Sequence, residues 1–190
     1  MLYAVCGLTA FGLYALYDIN SVLWKKRILH FFFGVGSAIL VVSTVFCLVS
    51  AYGTYSIRWM QDSRYIIFLF FAALFLWLMI HTLFFALPFD DTYLKIQGEK
   101  TVCDRGMYAL CRHPGVIWFI LVYLNLGLAW GGKTVWYVGI WYSALNVIYV
   151  IFQDLWTFPK TFCDYGGYKK RTPFLIPTPK SVKTAWLTRR

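Results

Sequence analysis

The sequence predicts an all-α integral membrane protein, a helical bundle of about five transmembrane helices with a short cytosolic C-terminal segment. Three observations predict it. The 190 residues are 60% hydrophobic and 14% charged, whereas a soluble domain carries about a quarter charged residues. The apolar residues come in long blocks separated by short charged stretches, as a hydrocarbon layer about 30 Å thick demands at about 20 residues per helix. Fifteen of the 18 Lys and Arg residues then fall on one side of a five-span arrangement.

The first span covers residues 1–17 and ends at Asp18. It lacks a basic leader and a small-residue cleavage site, so it is read as a span rather than a signal peptide. The second covers residues 28–52, the third 65–88, the fourth 114–130 and the fifth 134–153. Lys25, Lys26 and Arg27 lie between spans one and two, and Lys95, Lys100, Arg105 and Arg112 between three and four. Eight more Lys and Arg follow span five, while Arg58, Arg64 and Lys133 are all that the opposite side holds. Basic residues in short loops resist translocation, which predicts an outside N-terminus and a cytoplasmic C-terminus. Trp24, Trp59, Tyr65, Trp130 and Trp136 fall near the expected interfaces, where amphipathic rings belong.

The chain is read as one membrane domain: three spans in residues 1–88, a site-bearing part in 89–177 and a basic tail in 178–190. Residues 154–190 suggest an amphipathic helix followed by a tail punctuated by Pro173, Pro177 and Pro179. Adhesion to anionic lipid through Lys169, Lys170 and Arg171 is its simplest role. The net charge of +10 does not point to nucleic acid, because positive-inside topology places these residues. Five cysteines, odd in number and without CxxC spacing, offer neither a disulfide framework nor a metal site, and no obligate protein partner is inferred.

Spans four and five are joined by Gly131, Gly132 and Lys133 alone, so they must form an antiparallel hairpin. At 1.5 Å per residue its two inner ends reach about the same depth. Arg112 and His113 are therefore expected within reach of Gln153 and Asp154. Pro114 at the first helical position fixes φ and removes an N–H that would be unpaired anyway. The helix N-terminus offers an anion free N–H groups and the positive dipole end, Arg112 adds a fork suited to carboxylate, and Gly115 permits close approach. Arg112 and Asp154 either flank a ligand bearing both charges or simply pair to close the hairpin. His81, about 13 Å into the membrane by helical rise, is either a neutral imidazole satisfied by a neighbouring helix or a substrate-channel residue. Asn125 and Asn146 are expected to bridge spans four and five, and Gly34, Gly36 and Ala38 to allow close helix packing. Asp18 and His30 are assigned to interface solvation, and Cys111 to a bystander role.

The stretch from Gly98 to Pro114, with Gly106, Tyr108, Arg112, His113 and Pro114 in place, resembles the signature of the isoprenylcysteine carboxyl methyltransferase and phospholipid methyltransferase family. Residues 164–177 resemble the family's closing motif through Tyr165, Tyr168, Arg171 and Pro173. Counting back from Tyr168 sets the family's acidic pair on Gln153 and Asp154. The resemblance covers about residues 90–177 and implies an S-adenosylmethionine-dependent methyltransferase acting on a lipophilic acceptor that enters from the bilayer. It implies Arg112 and Asp154 as catalytic residues, Arg112 orienting the acceptor and Asp154 meeting ribose hydroxyls or the sulfonium. Cofactor binding falls to His113, Pro114, Gly115, Gln153 and Asp154, with Glu99, Val102, Gly106, Tyr108, Tyr165 and Tyr168 around them. His81 and Trp118 would line the substrate channel. The chain departs from the pattern at Glu99, Val116, Trp118 and Gln153, where the family carries a histidine, a tyrosine, a glycine and an acid. The alternatives are a reductase or isomerase using nicotinamide or haem, with His81 or His113 as axial ligand, and a non-catalytic membrane scaffold.

Overall fold

Helices are the form that an apolar chain takes in hydrocarbon, because every backbone N–H and C=O must be satisfied within the segment. The computed structural model describes residues 1–59, 64–85 and 100–188, apart from the side chains of residues 52–59 and 64. The described residues are helical and contain no strand. Leu2–Ile19 is α1, prolonged by a π-helical turn at Asn20–Trp24. Phe31–Trp59 is α2, Arg64–Phe84 α3, Met107–Leu110 α4, Pro114–Trp130 α5 and Lys133–Phe152 α6. A second π-helical turn at Gln153–Thr157 leads into α7 at Phe158–Thr161. Tyr165–Arg171 is α8 and Pro179–Leu187 is α9.

Four of these helices are long and apolar enough to cross a membrane, and α5, with 17 residues, is a shorter apolar one. The chain is thus a membrane-type helical bundle. Its lipid-facing surface is apolar, with Val41, Val45 and Val49 on α2 and Ile66, Phe70 and Trp77 on α3 exposed. Asn20 shapes the turn between α1 and α2. Its Nδ2 donates to the Lys26 carbonyl at 3.0 Å and its Oδ1 accepts from the Lys26 amide at 2.9 Å, around Lys25 in the left-handed region. The predicted hairpin is present: Gly131, at φ 67°, ends α5 by donating to the Gly127 carbonyl at 2.8 Å, and α6 starts at Lys133.

The core lies where α1, α2, α5 and α6 meet, around Phe11, Tyr14, Tyr123, Val138 and Tyr142. Hydroxyl pairs bind the helices laterally. Ser43 meets Tyr142 at 2.8 Å, Thr44 meets Tyr123 at 2.6 Å and Tyr14 meets Ser37 at 3.0 Å. The expected Asn125–Asn146 bridge is not the glue. Asn125 turns back to donate to the Leu121 carbonyl of its own helix at 2.8 Å, since a helical acceptor four residues earlier is always at hand. Close packing falls on Gly36 rather than Gly34: a Cβ at Gly36 would sit 2.9 Å from the Ala10 carbonyl, while Gly34 faces open space. At the end distant from the C-terminus, Trp130 and Trp141 donate to the Leu48 and Ala4 carbonyls.

Candidate functional site

A helix of 17 residues spans about 25 Å, roughly 5 Å less than the hydrocarbon. Amides at the start of α5 therefore need protein acceptors. Backbone carbonyls of the segment after α8 supply them: Pro173 O accepts from the Arg112 amide at 2.9 Å and Phe174 O from the His113 amide at 3.3 Å. Residues 165–178 thus form a strap across the C-terminal-side ends of α5 and α6. These carbonyls engage the two amides just before α5.

Asp154 is the hub beneath the strap. Arg112 donates from Nε to its Oδ1 at 2.7 Å and from Nη2 to its Oδ2 at 3.3 Å. Tyr165 donates its hydroxyl to Oδ1 at 2.6 Å, and Lys169 Nζ lies 2.8 Å from Oδ2. The remaining Arg112 nitrogen, Nη1, donates to the carbonyls of Lys169 and Thr172 at 3.2 and 2.7 Å. The pair and the strap are therefore one network, and of the two expected arrangements Arg112 and Asp154 adopt direct pairing. Burial and the adjacent carboxylate push the Tyr165 hydroxyl well above its ordinary range, so it remains a donor.

His113 is buried beside this hub. Its ring stacks on Phe158 and meets the Phe174 edge at centroid distances of 5.6 and 5.1 Å. Nε2 lies 3.5 Å from Asp154 Oδ1 and has no hydrogen-bond partner. Burial holds the imidazole below its ordinary pKa; Asp154 opposes this, and Arg112 and Lys169 add to it. A neutral ring nitrogen without a partner, in a wall of aromatic rings, is the open valence of the site. The adjoining cavity, about 170 Å³, is lined by Arg112, Ile151, Asp154, Leu155 and Phe174. A larger cavity of about 540 Å³ lies between α1 and α2, but its lining, from Leu2 and Tyr3 to Val42 and Phe46, holds no carboxylate, imidazole or cationic side chain. Chemistry selects the smaller one.

The outer residues of the predicted set act as supports. Gly106, at φ 54° and ψ −123°, adopts a conformation suited to glycine and donates its amide to Thr188 Oγ1 at 3.2 Å. Tyr108 donates its hydroxyl to the Thr82 carbonyl at 3.1 Å, and its own carbonyl accepts from Tyr168 at 2.6 Å. The Val102 amide donates to Asp164 Oδ1 at 2.9 Å. Tyr165 and Tyr168 share the buried face of α8. Glu99 lies outside the described residues.

Several expectations are corrected. Gln153 does not face the Asp154 hub. Its Nε2 donates to Asp18 Oδ2 and to the Tyr149 hydroxyl, both at 2.9 Å, because consecutive side chains on a helix point to different faces. Asp18 is accordingly 5% exposed rather than solvated, and it forms no ion pair among the described residues. Gly115 faces Leu83 of α3. Trp118 points to α3 as well, donating to Thr82 Oγ1 at 3.0 Å and stacking on Phe75. His81 lies between Trp77 and Phe85 along its own helix, so neither proposed channel residue borders the described cavity. Cys111 is buried, which pushes its thiol up to about 11 and leaves it unreactive, as expected of a bystander. A short amphipathic helix, α8, precedes Pro173 as expected, and a second helix, α9, begins at Pro179.

No family model, curated protein or solved structure matches this chain. Lys169, Asp18, Phe158 and Phe174 belong to the site or its surroundings without having been singled out for it. Lys169 had a legible signal, standing four residues after Tyr165 and one after Tyr168 on a short helix.

Proposed function

We propose that the protein is an integral membrane methyltransferase transferring a methyl group from S-adenosylmethionine to a lipophilic acceptor, with its C-terminal side in the cytoplasm. The carrying observation is the convergence on one buried carboxylate, Asp154, of Arg112, Tyr165 and Lys169 from separate chain regions, with His113 Nε2 3.5 Å away and without a hydrogen bond. The donor set suits the cofactor in kind: an acid for hydroxyls or a cation, a neutral ring nitrogen, and the Phe158 and Phe174 rings for adenine. It does not suit it in size while closed, since the cavity of about 170 Å³ is below the roughly 300–1,000 Å³ of small-molecule sites. Cofactor binding therefore requires the strap to lift, separating Lys169 from Asp154 and freeing Arg112 Nη1 from the Lys169 and Thr172 carbonyls.

The group supplies an electrophilic methyl on sulfur. His113 would hold it through Nε2, and Asp154 through the oxygens that Lys169 and Tyr165 release. Arg112 would orient a polar acceptor head at the membrane edge, with Ile151 and Leu155 against its apolar part. Reclosure of the strap would exclude water, and alignment of the two reactants supplies most of the rate.

The test is saturable binding of labelled S-adenosylmethionine to detergent-purified protein. Binding that His113→Ala abolishes while its melting temperature is retained supports the reading; wild type that binds none refutes it. The committed Arg112 donors favour a second reading, a strap latch in a non-catalytic scaffold, and absence of binding would select it.

A further inference from the structure

We infer that α9 is a docking surface for anionic lipid headgroups of the leaflet on the C-terminal side. The helix is built for a boundary. Thr178 caps it through a reciprocal pair with Ser181, and Pro179 starts it. Ser181 is buried and Thr188 Oγ1 accepts from the Gly106 amide, which turns one face toward α4. Val182, Trp186 and Leu187 are exposed, with Trp186 at 64%, and Ile176 just before the helix is 82% exposed. Lys180 and Lys183 stand among them. Apolar side chains mixed with lysines on an exposed helix are what lies in a membrane interface.

Charge names the occupant. Residues 165–190 contain no Asp or Glu. Lys169 is committed to Asp154 and Arg171 to Asp104, while Lys170, Lys180 and Lys183 form no ion pair among the described residues. The sequence assigned lipid adhesion to Lys169, Lys170 and Arg171; Lys169 and Arg171 are paired, and Lys180 and Lys183 of α9 join Lys170 as lysines without an ion pair among the described residues. Position agrees as well. Phe174 is bonded to the His113 amide at the start of α5, and the four residues from there to Thr178 reach at most about 14 Å. The helix thus begins close to the bilayer surface. Docking would hold the strap down, because α9 is tied to α4 at Thr188 and continues the strap.

The test compares full-length protein in nanodiscs of phosphatidylcholine alone and of phosphatidylcholine with phosphatidylglycerol, by hydrogen exchange of residues 176–188. At about fivefold per surface lysine, exchange should slow on the order of twentyfold in the anionic discs. High salt should erase the slowing, as should Lys180→Gln with Lys183→Gln, both on the exposed surface. Equal exchange in the two lipids, or slowing that survives the double substitution, overturns the inference. Slowing that follows protein concentration rather than lipid charge also overturns it and assigns the face to another protein chain.

Discussion

Replacing Asp154 by Asn removes one negative charge and keeps the side-chain shape. In the wild type Arg112 and Asp154 have side-chain exposures of 10% and 7%, so the substitution leaves a buried guanidinium without its counter-charge. Breaking a buried pair in this way costs about 3–5 kcal/mol, a population shift on the order of a hundred- to a few-thousand-fold. Tyr165→Phe removes one hydrogen bond to a charged acceptor, about 1.5–3 kcal/mol. Lys169 is one-third exposed, so Lys169→Met costs about 1 kcal/mol or less. The order Asp154→Asn, Tyr165→Phe, Lys169→Met is thus fixed by burial. Equilibrium denaturation in mixed detergent micelles measures it. An Asp154→Asn shift no larger than that of Lys169→Met would refute the hub.

Three further outcomes follow from the geometry. Burial lowers the His113 pKa, so the open state binds protons more readily; closed-state stability is intact above about pH 6.5 and is lost as pH falls through the lowered value. Melting temperature should accordingly fall more steeply on acidification in wild type than in His113→Gln. Gly36→Val drives a side chain into the Ala10 carbonyl and should cost about 1–3 kcal/mol, whereas Gly34→Val, facing open space, should stay within about 0.5 kcal/mol, both read by thermal denaturation. Asp18→Asn keeps an acceptor for Gln153 and removes a buried charge that no cation offsets among the described residues, so its melting temperature should equal or exceed wild type, opposite in sign to Asp154→Asn.

The bundle was legible because it is local physics: block length sets spans, and two glycines between apolar runs force the α5–α6 hairpin. That hairpin alone brought Arg112 toward Asp154. What escaped depends on geometry that no pattern carries. Asp18 looked like an interface residue because α1 was expected to stop before it; the helix instead continues through Asp18 and winds into a π-helical turn. Gln153 and Asp154 looked like a pair because they are adjacent, yet adjacent residues on a helix face different ways and take different partners. Lys169 looked like a lipid contact because its charge was weighed and its spacing from Tyr165 on a short helix was not. The strap carbonyls of Pro173 and Phe174, which accept from the Arg112 and His113 amides just before α5, are backbone atoms and leave no trace in side-chain chemistry.

The most direct measurement is a hydrogen-exchange map of the purified protein with and without S-adenosylmethionine. Changed exchange is expected in residues 108–116 and 150–178, where the strap lifts and recloses. Unchanged exchange there at saturating ligand, or protection centred on the α1–α2 cavity, would contradict this expectation.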